Sequence, residues 1–140
     1  MKVRLEERNI WGGERYVFPA YVLVNNSMIT TNFVVDTGST KTFISPLDTR
    51  KLRFPRISSS EPIELGSIVL NLFEIKNAKL KIRDVNSKFI ELEGKIYGSA
   101  LANVHMQPPP IPSLLSKDFL DKFNLIVGKR DGDGTRHLED

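Results

Sequence analysis

Phe33-Val34-Val35-Asp36-Thr37-Gly38-Ser39-Thr40 is an apolar run that ends in a carboxylate, a hydroxyl and a glycine. Burying an unpaired carboxylate costs several kcal/mol, on the order of 3–5, unless a partner compensates it. Asp36 therefore needs a partner or a task. Gly38 lets backbone approach where a Cβ would crowd it, so the stretch reads as a strand opening into a tight loop around Asp36.

Working outward, Tyr16 to Val24 and Ile29 to Val35 are β-rich runs separated by Asn25-Asn26-Ser27. They predict a hairpin that delivers Asp36 at its far end. The Asn-Asn-Ser triplet matches a glycosylation sequon but reads as the hairpin turn. After the loop, Thr42-Phe43-Ile44 predicts a short strand, and Ser45 with Pro46 behind it predicts the cap and first position of a brief helix. From Arg53 to Gly66, Pro55, Ser58, Ser59, Ser60 and Pro62 break the apolar pattern and predict an exposed hairpin or loop. Apolar and charged residues then alternate through Ile68, Leu70, Leu72, Leu80, Ile82 and Phe89 to Glu93. This pattern predicts short strands in sheets with one wet face.

Pro108-Pro109-Pro110-Ile111-Pro112 enforces extended geometry. It reads as a stiff connector ahead of SH3-type ligands or a proline-rich adaptor. Ser116 to Phe123 has helical spacing, with Phe119 and Phe123 four apart and Ser116 as N-cap. Leu125-Ile126-Val127 predicts a last strand. Residues 131 to 140 are polar and glycine-containing, so the domain is expected to span residues 1–130 and the remainder to be a disordered tail.

At 140 residues, with 40% hydrophobic and 26% charged residues, the composition is that of one globular domain. The net charge of +3 comes from scattered Lys and Arg without aromatic interleaving, so a nucleic-acid partner is not expected. The N-terminal residues lack a signal-peptide core and no apolar run is long enough to cross a bilayer, so no membrane partner and a cytoplasmic location are expected. Cysteine is absent, which excludes thiol nucleophiles and Cys-ligated metals. His105 and His137 have no ligand partner at useful spacing, and Asp131-Gly132-Asp133-Gly134 lacks the later ligands of a calcium loop, so no metal or cofactor is expected. No phosphate loop follows Gly12-Gly13, and no Ser/His/Asp set is evident. Carboxylate chemistry is what remains.

A given tetrapeptide such as Asp36-Thr37-Gly38-Ser39 arises by chance in roughly one chain in a thousand of this size. Here it follows Phe33-Val34-Val35 and precedes Phe43-Ile44. With it stand the Ser58 to Gly66 stretch and Leu114-Leu115-Ser116-Lys117-Asp118-Phe119-Leu120, in that order. On these three features the chain resembles the retropepsin-like, retroviral-type single-domain aspartic proteases. The resemblance implies an all-β, closed or partly open barrel with one short C-terminal helix, one domain per chain, and an active site at a homodimer interface. It implies an aspartic endopeptidase acting on polypeptides, in which Asp36 and its symmetry mate share a proton and activate water without a cofactor. Thr37 would bond across the dimer axis, Gly38 would offer its carbonyl to substrate and Ser39 would bond the outer oxygen of Asp36. Residues 58–66 would form the flap, with Ser59, Ser60, Ile63 and Leu65 from it and Leu114 from below touching substrate; for the last three, ordinary core is the alternative. Ser116 stands where the family usually has glycine. That departure and the serine-rich flap favour the alternative of a catalytically weak or inactive dimerisation and peptide-binding module.

Overall fold

The computed structural model describes residues 1–52, 61–65, 68–102 and 111–140. Ser59, Ser60, His105 and Pro108 to Pro110 lie outside them. Alternation of apolar and polar side chains produces a chain of strands: β1 (Lys2–Ile10), β2 (Gly13–Val24), β3 (Ser27–Asp36), β4 (Glu61–Leu65), β5 (Ile68–Ile75), β6 (Ala78–Arg83), β7 (Phe89–Glu93), β8 (Ile96–Leu101), β9 (Ser113–Ser116), β10 (Ile126–Val127) and β11 (Arg136–Glu139). Two short helices, α1 (Pro46–Thr49) and α2 (Lys117–Lys122), interrupt them.

The hairpin expected around the asparagines is β2–β3, with Val24 opposite Ser27 and Asn25 at φ 52, a left-handed position that asparagine tolerates. Its strands lie in an eight-stranded sheet ordered β10-β11-β1-β2-β3-β9, to which β6 adds beside β2, and β7 beside β6. A second sheet has the order β4-β5-β8. Thr42 to Ile44 joins the two sheets. Phe43 exchanges backbone hydrogen bonds with Leu114 at 3.0 and 2.9 Å, while the Tyr97 N–H reaches the Thr42 carbonyl and the Ile44 N–H reaches the Tyr97 carbonyl. The expected strand is thus a short bridging segment between β9 and β8.

Two apolar clusters lie on opposite faces of this junction. Phe33, Ile44 and Leu115 belong to the main core with Phe18, Val22, Leu80 and Ile82. Val34, Phe43 and Leu114 belong to a second cluster with Val17, Leu70, Leu72 and Ile111. The unbroken Phe33-Val34-Val35 run is apolar because β3 is covered on both faces at its Asp36 end. Both caps form as expected: Ser45 accepts from the Asp48 N–H at 3.2 Å and Ser116 from the Phe119 N–H at 3.2 Å.

The C-terminal expectation requires correction. Residues 131–140 are not a disordered tail, and Ile126–Val127 is not the last strand. β11 pairs antiparallel with β1 from Leu5↔Arg136 to Lys2↔Glu139 and with β10 on its other side. Leu138 has no exposed surface and completes the main core. One buried leucine, together with two ladders of backbone hydrogen bonds, holds a segment that its charged neighbours make look like solvent-exposed tail.

Candidate active site

β3 runs parallel to β9, with Val34 opposite Leu114, Val35 opposite Leu115 and Asp36 opposite Ser116. The two features singled out in the sequence, residues 36–39 and 114–120, are therefore brought side by side. Asp36 is half-buried, while Thr37 and Gly38 are exposed. The Gly38 N–H donates to Asp36 Oδ1 at 2.9 Å, and a Cβ on Gly38 would lie 3.3 Å from that same oxygen. Glycine here leaves room for the loop to turn back onto the carboxylate. Among the described residues this is the hydrogen bond that Asp36 makes through its side chain, and no Lys, Arg or His pairs with it. Just past the stretch of β3 buried on both faces, the half-buried carboxylate has unused acceptor capacity among the described residues.

The loop is tied down at its other end. Lys117 N–H donates to the Ser39 carbonyl at 2.9 Å, which fastens the loop to the start of α2. The Ser39 N–H donates to the Asp36 backbone carbonyl at 3.4 Å, but its hydroxyl is bonded to Lys41, donating to the carbonyl at 3.1 Å and accepting from the N–H at 3.3 Å. The expected bond to the outer carboxylate oxygen is replaced by a local turn, because the hydroxyl satisfies two backbone groups that follow it directly.

Ser116, the departure from the family pattern, is 2% exposed, and Thr42 is 1% exposed. The Ser116 N–H donates to Thr42 Oγ1 at 2.9 Å, and the Thr42 hydroxyl donates to Ser116 Oγ at 3.0 Å. The extra hydroxyl is thus bonded on the bridging segment and also caps α2. It occupies a space shaped for it and leaves the β3–β9 ladder in register at Asp36.

Of the other site residues, Ile63 and Leu65 are half-buried on β4 and pack against the second cluster. Leu114 packs in that cluster at 1% exposure, so it is core beneath the site and offers no side-chain surface in the single chain. The part of the 58–66 stretch within the described residues is β4, which forms a hairpin with β5 from Glu61↔Leu72 to Leu65↔Ile68.

Sequence reading missed Lys41, which ion-pairs with Glu61 at the start of β4 and sits 4.8 Å from the centroid of the Tyr97 ring. The Glu61 carboxylate, hydrogen-bonded to it, holds the Lys41 ammonium above its ordinary value of 10.5. Its closeness to the 36–39 signature was a signal, but a partner twenty residues away has no spacing rule to reveal it. A second missed feature is a closed ring of hydrogen bonds. Ser113 and Thr31 hydroxyls meet at 2.6 Å, Thr31 donates to Asp48 Oδ2 at 2.7 Å, Asp48 N–H donates to Ser45 Oγ, and Ser45 N–H donates to Ser113 Oγ at 2.8 Å. The ring welds α1 to β3 and β9. Beside it opens a cleft of about 740 Å³ bordered by Ile10, Trp11, Leu47 and Ile111. It lies at Thr31 and Asn32, so the strand rise alone sets it about 15 Å from Asp36.

Among the described residues no group of three or more His, Asp or Glu side chains is placed to hold a metal ion. No helix among them is long and apolar enough to cross a membrane.

No protein-family model matches this sequence, and no curated protein matches it. Among solved structures the chain is similar to the crystal structure of a retropepsin-like aspartic protease from Rickettsia conorii. The TM-score is 0.54 and the identity 19%, over 99% of this chain and 90% of that one. The chain therefore has the retropepsin-like fold, and Asp36 to Ser39 lie on it in the arrangement described above.

Proposed function

We propose that this chain is one half of an aspartic endopeptidase, and that Asp36 from each of two copies forms the catalytic pair of a homodimer. The observation that carries this reading is the state of Asp36 itself. It is delivered by the end of β3 that is covered on both faces, held by the Gly38 N–H and left half-exposed with no cation paired to it among the described residues. A fold that uses the covered end of β3, the buried strand β9 and a capped helix to present one carboxylate with no cation partner among the described residues is suited to meeting a second carboxylate. In a twofold dimer that second group is the same residue of the other copy.

Two carboxylates about 3 Å apart cannot both ionise, so the pair holds one proton. The ionised member takes a proton from water as that water attacks the scissile carbonyl, and the protonated member donates to the carbonyl oxygen. Thr37 and Gly38, exposed beside the carboxylate, serve the partner loop and the substrate backbone. The substrate lies extended as an added strand between the loop and the β4–β5 hairpin, where Ile63 and Leu65 form pocket walls.

A fluorogenic unfolded protein, incubated with the dimeric protein from about pH 3 to about pH 7, tests this. Cleavage that rises on the acidic side and is blocked by a pepstatin-type inhibitor is the expected result. Absence of cleavage across that range by a verified dimer refutes the enzyme and leaves the peptide-binding alternative.

A further inference from the structure

Among the described residues, Lys41 forms an ion pair between the end of the Asp36 loop and Glu61 of β4. Its backbone is pinned on both sides by the Ser39 hydroxyl. Its ammonium lies over Tyr97, whose own backbone is fixed by bonds to Thr42 and Ile44 on the bridging segment. The cation is thus held by the rigid body of the protein, with a side chain only 26% exposed. Glu61, its partner, is 64% exposed and stands at the first position of β4. β4 is the outer strand of its sheet and, among the described residues, pairs with β5 alone. The two members of the pair are therefore unequal: the lysine is fixed and the glutamate belongs to the less anchored arm.

We propose that Lys41 is a positioning residue that latches β4 to the end of the Asp36 loop through Glu61. The latch is a property of the fold and stands independently of the protease reading. An exposed ion pair contributes little by itself and weakens with salt. The aromatic platform under the ammonium adds a modest, less salt-sensitive hold on the lysine. A contact of that strength biases the position of β4 without locking it. The second cluster, through Ile63 and Leu65, supplies the remaining grip on β4.

Hydrogen exchange followed by mass spectrometry tests this on the full chain, comparing the parent with Lys41→Met, Glu61→Gln, the double variant and the charge-swapped pair Lys41→Glu with Glu61→Lys. Exchange in residues 61–65 is expected to rise roughly two- to fivefold in either single variant and no further in the double. It should return toward the parent in the swapped pair, and the parent in high salt should approach the variants. Exchange in β1, β2 and β9 should not change, which a general loss of structure would alter. Unchanged exchange in residues 61–65, or an equal rise throughout the chain, overturns the latch. The readout needs no catalysis, so its failure is distinguishable from failure of the protease reading. A chain that cleaves nothing yet loosens locally loses the enzyme and keeps the latch, and a protease whose hairpin ignores Lys41 does the reverse.

Discussion

Asp36→Asn is expected to abolish peptide-bond cleavage while leaving the fold and the dimer intact. The amide oxygen can still accept the Gly38 N–H bond that Asp36 Oδ1 accepts at 2.9 Å, so the loop keeps its shape. What disappears is the group that gains and loses a proton. Because the substitution enters both copies of the proposed homodimer, the base and the acid that the proposal assigns to Asp36 would be lost together. General acid–base groups contribute on the order of 10²–10⁴-fold to rate, so the fall in kcat/KM should reach or exceed the upper part of that range. Steady-state kinetics on an unfolded substrate, with a denaturation midpoint measured on the same sample, check it. A variant that unfolds does not bear on catalysis; a folded variant with parental kcat/KM removes Asp36 from the chemistry.

Leu138→Ala is expected to destabilise the protein by about 2–5 kcal/mol, the usual range for removing a buried leucine side chain. Leu138 is fully buried, opposite Val3 on one side and Val127 on the other, so its loss opens a cavity where three strands meet. Chemical denaturation reads the effect as a lower midpoint with little change in slope. A shift within about 0.5 kcal/mol, the level of a surface change, would mean that β11 does not form in solution and that residues 131–140 are the tail their composition suggests.

The contrast between these two positions explains how much of the molecule was legible in the sequence. Phe33-Val34-Val35 advertises itself because both faces of β3 are covered at that point, which leaves an unbroken apolar run. Ser45 and Ser116 are legible as caps because capping is a local relation between a hydroxyl and an N–H three residues on. β11 carries a single core side chain between Arg136, His137 and Glu139, and one buried residue makes no period. β1 is hidden in the same way, since Val3 and Leu5 are its fully buried positions among charged neighbours. β8 includes Gly98, Ser99 and Ala100, small residues that fit a crowded junction and give no strand signal. The Lys41–Glu61 pair and the Thr31–Asp48–Ser45–Ser113 ring join residues far apart in sequence, so no spacing rule reaches them. Ser116 is the reverse case. By comparison with a family pattern it looked like a defect, and only its bonds to Thr42 show that the chain has made a place for it.

The central claim is that Asp36 finds its partner in a second copy of the same chain, and subunit mixing tests this most directly. Wild-type protein at fixed concentration is exchanged with a ninefold excess of Asp36→Asn, with sedimentation showing dimers throughout. Random reassortment leaves only a tenth of the wild-type chains facing another wild-type chain, so activity should fall roughly tenfold. Undiminished activity in exchanged dimers would show that one Asp36 is enough and would contradict the shared pair.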